Sequence, residues 1–263
     1  METDTVHVIC LGTGTSHGVP MIGCDCAVCT SDDPRNQRTR SSIFIRTGGV
    51  NLLFDTATEM RMQVLRHGIR RLDAIFYTHD HADHVQGIDD LRTFTQMQRK
   101  PLPVYGPADA LEMIRARCPY IFGDPDFRLG FSIPRLELHP LAAGETAQVE
   151  DTRVEAIEIL HGERPIHAYR IGRFAYLTDC SGVPDRALEQ LQGVDTLIID
   201  GLRPKPHRTH FSIGQAIEAA ERIGARRTFL THLTHDVDHA QIEAGLPPHV
   251  RLAYDGLELD VPG

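Results

Sequence analysis

Lysine is nearly missing from this chain of 263 residues: Lys100 and Lys205 are its only two, and arginine carries the remaining positive charge. Acidic residues outnumber basic ones, 36 to 27, for a net charge of −9. Affinity for a long nucleic acid rests on neutralising many phosphates, so this balance disfavours an extended nucleic-acid track. It does not exclude a small phosphate ester, because bound metal ions would supply local positive charge. Also missing is an apolar run near the roughly 18 residues that a membrane-spanning helix needs. Met1–Asp4 is short and acidic, with neither a basic nor an apolar leader region, so a cytoplasmic location is expected. No low-complexity tract, repeat of solenoid length or Gly/Ser linker interrupts the chain. A single domain over 1–263 is expected, a length that layered α/β folds reach.

What is present is ordinary for a globular core, 41% hydrophobic and 24% charged, except in two residue types. Histidine is abundant, at 15, and several of the rings cluster. Three of the six cysteines fall within Cys24–Cys29, and in a cytosolic chain such spacing suggests metal before disulfide. Cys180 stands apart, and packing is its expected role.

Short apolar runs rich in β-branched and aromatic residues recur, each ending in polar residues. They are Val6–Leu11, Ser42–Arg46, Asn51–Phe54, Leu72–Thr78, Val154–Leu160, Phe174–Thr178, Thr196–Ile199 and Thr228–Thr231, and they read as buried strands. Helical periodicity marks Thr58–His67, Asp90–Met97, Asp109–Cys118, Asp185–Leu191, Ser212–Ile223 and His239–Ala244, with Ser212 as an N-cap and Gly224 as a stop. Early strands follow one another like hairpins and later ones alternate with helices, which predicts a mixed sandwich of sheets and helices. Positions 98–107 and 119–135 are rich in Pro and Gly and are expected to be loops over a site. Gly12-Thr-Gly14 lacks the lysine and spacing of a nucleotide-binding loop, so a close-packed turn is the expected role.

The chemistry concentrates after Leu72–Thr78, where His79-Asp80-His81-Ala82-Asp83-His84 sets three imidazoles and two carboxylates in one tight loop. Such crowding is costly unless a cation uses the groups. Imidazole nitrogen and carboxylate oxygen suit zinc, manganese or iron. The spacing lets His79 and His81 face one way, with Asp83 and His84 offset toward a second ion.

That loop resembles the signature of the metallo-β-lactamase superfamily, which implies a four-layer αββα sandwich. Further expected ligands follow in order, each after a strand: His161, Asp179 and His232. The resemblance implies that His79, His81 and His161 hold one ion, that Asp83, His84 and His232 hold the other, and that Asp179 bridges them. Asp55 matches an early structural Asp that orients the His loop.

The run Gly23-Cys24-Asp25-Cys26-Ala27-Val28-Cys29 narrows the resemblance. With Leu11-Gly-Thr-Gly-Thr-Ser16, Asp33-Pro-Arg-Asn36, Arg38-Thr-Arg-Ser41, Leu230-Thr-His-Leu-Thr-His235, Asp238-His239 and Tyr254-Asp-Gly-Leu257, it is similar to the phosphodiesterase branch typified by PhnP. Three thiolates form an incomplete tetrahedral set, and His235 is the candidate fourth ligand of a structural zinc in an insertion near 23–41. Three free or redox-active thiols are the alternative.

The branch implies a phosphoribosyl 1,2-cyclic phosphate-like substrate. Its expected catalysis is attack on phosphorus by a hydroxide shared between two divalent ions, manganese or zinc. Asp83 or Asp179 would orient the nucleophile. His210, opening the Ser212–Ile223 helix, is expected beside the substrate phosphate as a proton donor or phosphate contact, with Arg208, Arg203 and Lys205 near it. His207, His139, His167 and His249 are expected to be structural or surface residues. The expected partner is a small phosphodiester, with no membrane or nucleic acid and a homodimer left open. Rival readings are a nuclease of the same fold, a thioester or lactam hydrolase, and a non-catalytic metal-binding protein.

Overall fold

The computed structural model describes residues 5–123 and 132–262. The chain opens with β1 (Val6–Gly12), β2 (Ser42–Thr47) and β3 (Val50–Phe54), an antiparallel meander. Next come α1 (Met60–Arg66), β4 (Ala74–Phe76), α2 (Ala82–Val85), α3 (Leu91–Gln98), β5 (Leu102–Gly106), α4 (Ala108–Arg117), α5 (Pro119–Phe122) and β6 (Leu136–Pro140). A second antiparallel run holds β7 (Thr146–Val149), β8 (Thr152–His161), β9 (Arg164–Ile171) and β10 (Phe174–Leu177). The chain ends with α6 (Asp185–Gln190), β11 (Thr196–Asp200), α7 (Ile213–Ile223), β12 (Arg227–Thr231), α8 (His239–Glu243), β13 (Val250–Leu252) and β14 (Glu258–Val261).

The described strands form two mixed sheets in the orders β14-β1-β2-β3-β4-β5-β6 and β13-β12-β11-β10-β9-β8-β7. Between them lies one apolar layer, where Phe54 and Phe76 stack at 5.0 Å and Tyr169 and Tyr176 close in from the second sheet. A second layer joins the first sheet to α1, α3 and α4 through Met60, Leu91, Phe94 and Leu111. A third joins the other sheet to α6 and α7 through Ala187, Ala216, Ala220 and Ile223. The result is an αββα sandwich: the mixed sandwich expected from the alternation of strands and helices, in the four layers that the metallo-β-lactamase resemblance implies. α7 is bounded as its sequence implies, by a Ser212–Gln215 capping box and by Gly224 in the left-handed region at φ 79°.

Positions 98–107 and 119–135 are only partly loop. Leu102–Gly106 is β5, paired on both sides, and Pro119–Phe122 is a short helix. Pro103 hides the strand, yet pairing with β4 begins only at Val104. The remainder of the second segment, 124–131, lies outside the described residues. Among the described residues no helix is long and apolar enough to cross a membrane.

Gly12 and Gly14 serve close packing. A Cβ on Gly12 would collide with the Arg40 carbonyl, and one on Gly14 would sit 2.8 Å from the Arg38 carbonyl. Cys180 is wholly buried in the core beneath α7.

Candidate metal centre

The ends of strands from both sheets meet at one rim. β4 delivers the His79–His84 loop, and α2 turns Asp83 and His84 inward on its first helical residues. β8 ends on His161; Asp55 and His232 follow β3 and β12 directly, and Asp179 stands one residue, Thr178, past the end of β10. Asp55, Asp179 and His232 all have positive φ, at 60°, 55° and 60°. Each such non-glycine conformation costs about 1–3 kcal/mol and persists where the surroundings over-determine it. Local strain therefore concentrates at the rim.

Two groups of donor atoms result, each with members within 4.8 Å of one another: His79, His81, His161 and Asp179, and Asp83, His84, Asp179 and His232. Asp179 belongs to both. Its Oδ1 lies 3.2 Å from His84 Nε2 and 3.2 Å from His232 Nδ1, and its Oδ2 lies 3.9 Å from His79 Nε2. Asp83 Oδ2 is 3.3 Å from His84 Nε2.

Outer contacts aim the rings. His84 Nδ1–H donates to Asp55 Oδ2 at 2.7 Å. His79 Nδ1–H donates to Thr78 Oγ1 at 2.9 Å, and that hydroxyl in turn donates to Asp55. His161 Nδ1–H donates to the Thr209 carbonyl at 2.8 Å. These bonds fix the tautomers and leave each Nε2 free toward the centre. Nε2 of His79 and Nε2 of His84 are buried without a hydrogen-bond partner. An orphaned buried imidazole nitrogen costs free energy that a cation would recover, so the donor set fits a pair of divalent ions.

The carboxylates dominate the electrostatics of the rim. Burial holds His79 neutral, well below its ordinary pKa. Burial opposes charge on His84 as well, but the carboxylates of Asp179, Asp83 and Asp55 outweigh it and hold the ring well above its ordinary value. Burial opposes ionisation of Asp179, and His232 and His84 overcome it and keep that carboxylate well below the usual range.

Beside the rim stands His210, 9% exposed, its ring stacked on His232 at 4.9 Å and edge-on to His161 at 4.7 Å. Its Nδ1 lies 2.6 Å from Oδ2 of Asp200, the last residue of β11. Sequence reasoning passed over Asp200, although its position at a strand end matches that of Asp179. Asp80 was missed as a support: it is 3% exposed, with Arg117 of α4 at 3.0 Å and Arg164 of β9 also paired to it, tying both elements to the His loop. A cleft of about 240 Å³ opens from His210 and is walled by Ser16, His17, Met21, Arg203 and His207. Arg208 and Lys205 are exposed and do not line it, whereas His207 does.

A third group adjoins that cleft, whose wall also includes His235. The sulfurs of Cys24, Cys26 and Cys29 and a ring nitrogen of His235 lie within 4.8 Å of one another, and none of the cysteines is in a disulfide. His235 Nδ1 is 3.3 Å from Cys24 Sγ and 3.4 Å from Cys26 Sγ. The Cys29 amide and His235 lower the Cys26 thiol to about 6, giving it thiolate character at neutral pH. Burial pushes Cys29 up to about 11. Three sulfurs and one imidazole nitrogen are the donor set that structural zinc takes.

Comparison with known proteins places this geometry. Residues 50–233 match the Beta-lactamase superfamily domain. A crystal structure described as that of a new diphosphatase from the PhnP family superposes with a TM-score of 0.91 and 38% identity, covering 98% of this chain and 97% of that one. An octanoyltransferase from Porphyromonas gingivalis is 41% identical over 259 residues. That match takes in 96% of this chain and 51% of the relative, so the chain spans about half of the relative's length. A ribonuclease Z from Methanosarcina acetivorans is 34% identical over 150 residues, 54% of this chain and 47% of the relative. In sequence and in fold, the chain belongs to the PhnP family of the beta-lactamase superfamily.

Proposed function

We propose that this chain is a metal-dependent phosphodiesterase that hydrolyses a small cyclic phosphodiester of the phosphoribosyl 1,2-cyclic phosphate kind. His79, His81, His161 and Asp179 would hold one divalent ion, and Asp83, His84, His232 and Asp179 the other. Manganese and zinc both suit such donors. When bound, such a pair lowers the pKa of water toward neutrality and offsets charge on phosphoryl oxygens. Cys24, Cys26, Cys29 and His235 would hold a structural zinc.

The observation that carries the reading is a buried Asp200–His210 pair set against a donor cluster that shares one carboxylate between two groups. Burial pushes Asp200 up and His210 down, so together they form a neutral unit that carries one proton between carboxyl and imidazole. An anionic phosphoryl group at the Nε2 edge favours the imidazolium form, which donates to the departing alkoxide. Asp83, at the rim with its side chain 10% exposed, orients the attacking water. A cyclic ester keeps its leaving oxygen aligned at little entropic cost. The cleft of about 240 Å³ accommodates a small molecule, with Arg203 and His207 on its wall for a second anionic group.

A second reading, hydrolysis of a diphosphate, is favoured by the 38%-identical diphosphatase. The same residues would serve it, because either reaction expels an oxygen from phosphorus. The test is one screen of cyclic ribose phosphates, cyclic nucleotides, diphosphates and oligonucleotides with added manganese or zinc. Fastest turnover is expected with the cyclic ribose phosphate and none with His79→Ala. Fastest turnover of a diphosphate establishes the second reading instead, and equal turnover of long single-stranded oligonucleotides rejects both.

A further inference from the structure

A short segment, Asn36–Ser41, touches both the loop that carries His232 and His235 and the strand of chain leading into the cysteine loop. Arg38 is 1% exposed, and among the described residues it forms no ion pair. Its guanidinium is spent on the backbone of one loop. Nη1 donates to the Thr234 carbonyl at 3.1 Å and Nη2 to the Val237 carbonyl at 2.9 Å, so the two bonds straddle His235. Nη2 also donates to Asn36 Oδ1 at 3.0 Å, which accepts the His239 amide at 2.9 Å. Burying a charge without a directly paired carboxylate is expensive; the carbonyls and the amide oxygen compensate it at contact distance, and Asp255, Asp238 and Asp33 add longer-range attraction. Arg38 is the largest of the fully buried side chains among the described residues.

The same residue reaches the cysteine loop through its backbone. Arg38 and Val19 exchange hydrogen bonds of 2.7 and 2.8 Å, and Val19 packs with Val28 and Cys29. Three residues beyond Arg38, the other margin is reached: Ser41 Oγ lies 3.2 Å from His232 Nδ1. His232 itself is in the left-handed region, and only two residues separate it from His235. A conformation of that kind holds only while the flanking loop is pinned. Leu233 N–H donates to the Thr13 carbonyl at 2.9 Å and Thr234 N–H to the Leu202 carbonyl at 3.0 Å. These pin the near side of the loop, and Arg38 pins the far side.

We propose that Arg38 is a positioning residue that couples the Cys24–Cys26–Cys29–His235 group to the Asp83–His84–Asp179–His232 group. Zinc in the first sets the loop that presents His232 to the second. The inference rests on the reading that both groups hold metal. By linkage the coupling is reciprocal: whatever factor zinc adds to the affinity of the second group, an ion there adds to the affinity for zinc. The His79–His81–His161 side has no contact with this segment and stands outside the coupling, except through the shared Asp179.

Arg38→Met keeps most of the volume and removes every donor, and Arg38→Lys restores charge with a single donor position. Manganese binding to each purified, zinc-loaded chain is measured by competition with a chelator, resolving two ions. Arg38→Met is expected to weaken one of the two affinities about 10- to 100-fold, the range for supports of metal ligands, and to leave the other within about threefold. Arg38→Lys should fall between it and the parent chain. Cys26→Ser should weaken the same ion, and the double substitution should lose less than the product of the two single losses. Unchanged affinities in folded Arg38→Met, equal loss of both ions, or fully multiplicative losses would each overturn the coupling. If Arg38→Met does not fold, Arg38→Lys decides by the same asymmetry. A parent chain that binds no manganese at all instead removes the proposed function.

Discussion

Oδ2 of Asp200 lies 2.6 Å from Nδ1 of His210, with Asp200 sealed from solvent and His210 opening on the cleft. The carboxyl also accepts the Leu202 amide at 3.0 Å, which fixes its own orientation. This pair sits outside both donor groups, so its chemistry separates from metal binding. Asp200→Asn keeps an acceptor for the Nδ1–H and removes the charge that supports the imidazolium. It is expected to lower kcat about 10- to 100-fold, within the span general acid catalysis contributes, with metal content unchanged. An unaltered kcat would remove His210 as the proton donor.

Asp55 tests the support of the His loop. It accepts from His84 Nδ1–H, the Thr78 amide and the Thr78 hydroxyl, and it reaches His79 through that hydroxyl. Asp55→Asn cannot accept all of these bonds. Metal affinity should fall about 10- to 100-fold while the fold survives. Chelator competition reads the change, and parental affinity in the variant would show that Asp55 does not orient the rings.

Cys26→Ser tests whether the cysteine group is structural, as proposed, rather than catalytic. The substitution should remove zinc and lower the melting temperature, while each folded molecule loses far less turnover than His79→Ala does. Unchanged melting together with abolished chemistry would contradict a structural role for the cysteine group.

His167 makes acid sensitivity testable away from the rim. Burial lowers it to about 4, and its Nδ1 has no hydrogen-bond partner. The unfolded ring titrates near ~6.5. Between these values the unfolded chain binds the extra proton, so stability rises with pH there. The contribution of the neutral ring is complete above about 6.5 and is lost as pH falls toward 4. The drop in melting temperature between pH 7 and 4.5 should be smaller in His167→Leu by a few degrees. An equal drop in both chains would place the acid sensitivity elsewhere.

The rim was readable in the sequence because its residues stand where apolar runs stop, and a strand that ends at a polar residue announces a side chain placed at a sheet edge. Asp179 and His232 could be read that way, and Asp200 could have been, since Ile198-Ile199-Asp200 has the same form. β9 escaped notice because Arg164, Pro165, His167 and Arg170 break its apolar pattern, even though its pairing with β8 is continuous. β6 is an edge strand whose alternate residues are exposed, and β13 has three residues, too few for any periodicity. Arg38 illustrates a different gap. Nothing in Arg-Thr-Arg-Ser shows that one guanidinium is wholly buried and its neighbour is not, because that depends on which carbonyls the fold brings to it.

The number of metal ions bound before and after the loss of Asp179 reads the shared-carboxylate arrangement most directly. Elemental analysis of the parent chain should find about three ions, two at the rim and one at the cysteines. In Asp179→Ala, with both rim groups missing their common oxygen donor, about one should remain, and it should be zinc. A parent chain holding a single ion, or an Asp179→Ala chain that keeps all three, would contradict the two-ion centre.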